Sequence, residues 1–289
     1  MPKQIARLAQ MACIWEACAP KPGNVNRAHD FSDTSLEDFL ISAVAIGPAL
    51  ENAAGSGTGQ TIWQAMTDTR RLVQSNTNLG LILLLAPLVQ ACMSVPAASD
   101  IAKVRQRLRA ILEALTVEDA RLAYAAIRLA QPGGLGQVSR ADIAEEPSIT
   151  LLQAMALAQD RDAVAREYVT GFAITFEIGL PALKEARLRN GNFSDAVVQS
   201  FLTILSRVPD TLIARKRGTE TADRISRQAA EILMRGGIFT DEGRAALAGM
   251  DRDLRDEGHT LNPGTTADLT AAAVFLELLE TTVRAGTEL

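Results

Sequence analysis

In Pro20-Lys21-Pro22-Gly23-Asn24-Val25, two prolines hold the backbone on either side of a lysine. The fixed φ of proline leaves the ammonium little freedom to lose on binding, which suits a phosphate or a carboxylate. A solvated lysine in a surface turn fits the same residues. His29, Asp30 and Asp33 follow. Asp30 and Asp33 lie three residues apart. Their oxygens suit a shared cation, or one of them caps the helix that begins near Ser35.

Four more junctions have the same character. Asn76-Thr77-Asn78-Leu79-Gly80 sets three polar side chains ahead of an apolar helix. They suit a ligand held against the positive helix end, or plain N-capping. Thr116-Val117-Glu118-Asp119 has capping-box spacing, and Glu118 and Arg121 are placed to pair on the surface. The glycines at 133, 134 and 136 fit neither the dinucleotide-binding nor the P-loop spacing. Pro209-Asp210-Thr211 precedes Arg215, Lys216 and Arg217. A carboxylate followed by three cations suits a metal–phosphate group, or a charged helix end. Last, Thr265-x-x-Asp268 opens a strongly apolar segment. Its spacing is again that of a capping box, but an acid at the mouth of a buried helix beside Pro263-Gly264 also suits a ligand. No GxSxG occurs, and the two histidines, His29 and His259, lie in polar segments, so a Ser-His-Asp triad is not supported.

Helices must position these junctions. Apolar residues recur with helical period and no alternating β-branched run stands out. The pattern predicts helices at 4–18, 35–53, 60–74, 79–93, 100–114, 117–130, 148–158, 161–177, 181–189, 194–207, 219–234, 241–256 and 265–285. That makes roughly a dozen helices in one all-α, bundle-like domain over 1–289, with a polar cleft formed where helix junctions meet. The last helix is apolar nearly all round in its first half, as a helix buried in a larger bundle would be.

The 289 residues are 47% hydrophobic, 22% charged and only 4% aromatic, so the core is aliphatic and disorder is excluded. With 29 basic and 34 acidic residues and no basic block, nucleic acid is not an expected partner. The most apolar run, Leu79 to Val89, is too short to cross a bilayer, and the N-terminal segment lacks a secretory pattern. Three cysteines without CxxC spacing form no disulfide framework or zinc site. The expected setting is the cytoplasm. A homodimer is the expected assembly, if the chain assembles at all.

Together PKPGNV (20–25), NTNLG (76–80), PDT (209–211) and NPGTTADL (262–269) resemble the ATP:dephospho-CoA triphosphoribosyltransferase family, over most of the chain and in the same order. Each piece alone is weak; the set is fairly specific. The resemblance implies an all-α fold, with ATP as donor. It implies transfer of the ribose C1′ of ATP to the 2′-hydroxyl of dephospho-CoA, with release of adenine. Lys21, Asn24, Asp33, Asn76, Asp210 and Asp268 stand at the matching positions. Where the family commonly has NTHKG, Asn78 and Leu79 replace the middle pair. Phe31 stands where a histidine is usual, and Leu212 where an asparagine follows DT. These departures leave open a different acceptor in another cofactor pathway, or a nucleotide-binding protein without turnover.

Displacement at an anomeric carbon develops positive charge on the sugar, which carboxylates stabilise. The family pattern does not separate the roles of these residues; their chemistry makes Asp33, Asp210 and Asp268 the expected catalytic carboxylates, with Asp33 and Asp210 also on Mg²⁺. Lys21, Asn24, Asn76, Asn78, Arg215 and Arg217 are the expected nucleotide contacts, the cations meeting the phosphates.

Overall fold

The computed structural model describes residues 1–95, 100–133, 141–190 and 192–284. Within them the chain forms sixteen α-helices and no strand. The first six are α1 (Pro2–Cys18), α2 (Leu36–Ala45), α3 (Gly47–Glu51), α4 (Ala53–Ser56), α5 (Thr58–Leu72) and α6 (Leu79–Met93). Next come α7 (Ile101–Glu113), α8 (Val117–Ala130), α9 (Leu151–Ala158), α10 (Ala163–Thr170) and α11 (Leu180–Asn190). The remainder are α12 (Phe193–Arg207), α13 (Thr211–Arg217), α14 (Thr219–Met234), α15 (Asp241–Leu254) and α16 (Gly264–Arg284).

Most of the predicted helices are found within a few residues, with three corrections. The helix expected over 35–53 is three pieces, α2, α3 and α4. Pro48 lies in the first turn of α3 and cannot donate to a continuing α2. The helix expected over 161–177 stops at Thr170, because Gly171 and Phe172 both take positive φ (63° and 60°). A single π-helical turn, Thr175–Gly179, then leads into α11. The short α13 was not expected as a helix; Asp210 is its N-cap. Of the glycine loop after α8, Gly134 and Gly136 lie outside the described residues.

Two helices form the centre. In α6, thirteen of fifteen residues are buried, so its lack of a polar face is explained by neighbours on every side. In α16, the run Ala271-Ala272-Ala273-Val274-Phe275-Leu276 has no exposed surface at all. Small alanines there let α1, α11 and α12 approach closely. The buried apolar residues form one continuous cluster that includes α1, α6, α12 and α16. No described helix is long and apolar enough to cross a membrane. Cys13, Cys18 and Cys92 are free thiols.

Candidate active site

The first turn of α6, the C-terminal end of α1, the loop 20–34, α13 and the start of α16 enclose a cavity of about 410 Å³. Local sequence fixes each wall. Ser35 and Asp38 form a capping box that starts α2, and Asp30 Oδ1 accepts the Leu36 amide at 2.8 Å, so the loop is tied to that helix. Asp30 therefore serves as a cap. Asn76 Oδ1 accepts the Leu79 amide at 3.3 Å, which makes Asn76 the side chain that caps α6. Three helix N-termini border the space: α6 at Leu79 and Gly80, α10 at Asp162 and Val164, and α16 at Gly264 and Thr265. Converging N-termini supply a positive field suited to an anion.

Asp268 lies on the cavity wall in the second turn of α16, half-buried. Its carboxylate takes no hydrogen bond from the described residues. It is pressed against Gly80: a Cβ there would lie 2.0 Å from Asp268 Oδ2. Burial pushes the Asp268 carboxyl well above the ordinary aspartate value. Glu16, Asp210 and Asp162 push the same way, and Arg215 opposes them. The capping bonds that the Thr265-x-x-Asp268 spacing suggests are not formed among the described residues. Asp210 reaches across instead, and its Oδ2 accepts from the amide (2.7 Å) and hydroxyl (2.8 Å) of Thr266.

The structure brings Asn24, Asp33, Asn76, Asn78, Arg215 and Asp268 to the cavity. Asp33 is exposed at its mouth. The Oδ1 atoms of Asn24 and Asn78 are buried without a partner among the described residues. Arg215 pairs with Asp162 at 2.6 Å and leaves its Nε buried and unpartnered.

Three expected contact residues do not line the cavity. Asp210 is buried behind the wall, and its four hydrogen bonds use both oxygens: Oδ1 accepts from Leu212 and Ile213, Oδ2 from Thr266. Those acceptor positions are filled by three helix amides and the Thr266 hydroxyl. Lys21 is fully buried, and its ammonium pairs with Glu16 at 2.9 Å rather than facing a phosphate. Arg217 is exposed and does not border the cavity; its neighbour Lys216 does.

Sequence reasoning missed Glu16, Asp162 and the ring pair at the mouth. Glu16 continues the apolar stripe of α1 (Ile5, Leu8, Ala9, Ala12), and an acid in such a stripe was the available signal. Phe31 and His259 stack with ring centres 4.0 Å apart, and His259 Nε2 lies 3.1 Å from both the amide and hydroxyl of Ser32. This joins the loop 20–34 to the segment before α16.

Magnesium takes oxygen ligands and typically keeps one or two carboxylates plus substrate phosphates. The cavity presents oxygens of that kind in Asp33 and the two orphaned asparagine carbonyls. No group of three acidic, histidine or cysteine side chains able to cage a metal occurs among the described residues. The donor set thus fits a metal that arrives with a polyphosphate.

Comparison with known proteins shows the family. A family model described as ATP:dephospho-CoA triphosphoribosyl transferase matches residues 2–286. A Pseudomonas fluorescens protein named as a 2-(5''-triphosphoribosyl)-3'-dephosphocoenzyme-A synthase is 30% identical, with 96% of this chain and 92% of that protein covered. A Malonomonas rubra protein of the same name is 26% identical over 96% of this chain and 87% of its own length. The crystal structure of a triphosphoribosyl-dephospho-CoA synthase from Archaeoglobus fulgidus superposes with a TM-score of 0.65 at 30% identity, covering 83% of this chain and 98% of that one. The four motifs, the all-helical fold and these likenesses lead to one conclusion: the chain belongs to the ATP:dephospho-CoA triphosphoribosyl transferase family.

Proposed function

We propose that this chain transfers the triphosphoribosyl group of ATP to dephospho-CoA in the cavity between α6 and α16, with adenine as the leaving group. The observation that carries this reading is Asp268. It is an acid that takes no hydrogen bond from the described residues, raised towards its neutral form, on the wall of a cavity bordered by three helix N-termini. A carboxylic acid that keeps its proton near neutrality can give it to a departing base, an effect typically worth about 10²–10⁴-fold.

The supporting roles follow from position. Helix N-termini and Arg215 favour the triphosphate; Lys216, exposed at the rim, adds a second cation. Asn24 and Asn78 offer buried acceptors to donors on the ligand. Asp33 at the mouth is the carboxylate available to Mg²⁺, which would neutralise phosphate charge when bound. The reaction belongs to the cytoplasm, in keeping with three free thiols.

The test is incubation with ATP, Mg²⁺ and dephospho-CoA, followed by chromatography for free adenine and mass spectrometry of the coupled product. Both should appear, and Asp268→Asn should slow adenine release by about 10²-fold or more. Absence of adenine from the wild-type reaction would overturn the reading.

A further inference from the structure

We propose that Glu16 is a second catalytic carboxylate of this transfer, and that Lys21 is a positioning residue acting through Glu16. The inference rests on the reading of the cavity given above.

Lys21 has no exposed surface, although it sits in the turn that looked best suited to a phosphate. An ammonium has three donors. All three are directed inward: to Glu16 Oε1 at 2.9 Å, to the Glu16 carbonyl, and to the Ala19 carbonyl at 3.4 Å. Two of those acceptors are main-chain carbonyls at the C-terminal end of α1, where a cation is favoured. No donor is left for a ligand. The rigid Pro20–Pro22 segment thus serves to hold the ammonium beneath the helix end.

Glu16 stands between Lys21 and the cavity. It is 4% exposed, and it is one of the cavity's lining residues. Oε1 is taken by Lys21, and no hydrogen bond from the described residues reaches Oε2. The side chain therefore brings a paired negative charge to the cavity wall with one oxygen uncommitted. Its charge acts on Asp268, for which Glu16 is the foremost charged neighbour. Two carboxyl groups thus line the cavity in opposed environments: Glu16 is ion-paired to Lys21, and Asp268 takes no hydrogen bond from the described residues.

The chemistry balances with these two groups. The bond from ribose C1′ to adenine breaks with its electron pair going to adenine, which takes the Asp268 proton. The acceptor hydroxyl oxygen forms the new bond to C1′, and its proton restores Asp268. Glu16 gains and loses nothing; it faces the positive charge that the sugar carries between the two events.

A double-mutant cycle on adenine release tests this, using Glu16→Gln, Lys21→Met and both together in the full chain. Glu16→Gln is expected to lower kcat by about 10²–10³-fold with the KM for ATP unchanged. Lys21→Met should lower kcat without raising the KM for ATP. The double variant should be no slower than Glu16→Gln alone, because Lys21 acts through that carboxylate. If Lys21→Met fails to fold, the double variant, which removes both charges, still supplies the comparison with Glu16→Gln. An unchanged kcat in Glu16→Gln overturns the catalytic role. A raised KM for ATP in the double variant, relative to Glu16→Gln, overturns the positioning role and returns Lys21 to the phosphates. Wild-type protein that releases no adenine overturns the reading of the cavity, and this inference with it; wild-type turnover with either of the other results overturns this inference alone.

Discussion

Gly80 shows why a single side chain, or the lack of one, decides this site. Its φ lies outside the positive range, so backbone conformation does not demand glycine there. Space does: a Cβ would overlap the Asp268 carboxylate. Gly80→Ala should gain about 1 kcal/mol of helix propensity yet displace Asp268, so adenine release should fall at least about 10-fold while the far-ultraviolet spectrum stays helical. Asp210 makes the opposite case. Exchange for asparagine puts a donor among amide protons, and urea melts should show a loss of about 1–3 kcal/mol. The Mg²⁺ concentration needed for half-maximal rate should not change, because Asp210 holds helices and not the metal. The sequence made the residue types at the site legible, since Asn24, Asp33, Asn76 and Asp268 were all drawn from motifs. It left their depth illegible: Lys21 and Asp210 read as ligands because charge in a turn says nothing about whether the turn is covered.

At the level of helices, capping chemistry was the most readable signal. The boxes Ser35/Asp38 and Thr116/Asp119 both form as their spacing requires. The interruptions were harder, because Gly171 and Phe172 turn left-handed through tertiary contacts that no local pattern records. Glu167 holds the π turn that follows: it accepts the amides of Ile174 and Thr175 and the Thr175 hydroxyl. It is fully buried, and burial raises its carboxyl to about 7 against those hydrogen bonds, from an ordinary 4.5. The folded state thus holds this proton more tightly than the unfolded chain. The resulting stability is complete below about pH 4.5 and is lost as pH rises through about 7, a change of about 3 kcal/mol. Urea denaturation at pH 5 and pH 8 should show this slope in the wild type and a shallower one in Glu167→Gln.

Across the whole molecule, the sequence spoke for an all-helical chain with α16 at its centre, and the aliphatic core bears that reading out. The cavity itself was not visible in any one segment, because each wall comes from a different part of the chain. A ligand that bridges those walls must stabilise all of them at once. ATP with Mg²⁺ at about 100 times its dissociation constant should add about 2.7 kcal/mol to unfolding, read as a rise in Tm. Arg215→Ala should reduce that rise.

An early loop and a late segment of the chain meet beside the cavity. Gly23 donates to Asp251 at 2.8 Å, Asn24 to Asn262, and Ser32 to His259, so the opening loop is clamped by the closing segment. During synthesis Glu16 therefore leaves the ribosome long before Asp268. A message truncated ahead of α16 is expected to yield a product that releases no adenine at all, which chromatography of the reaction would read.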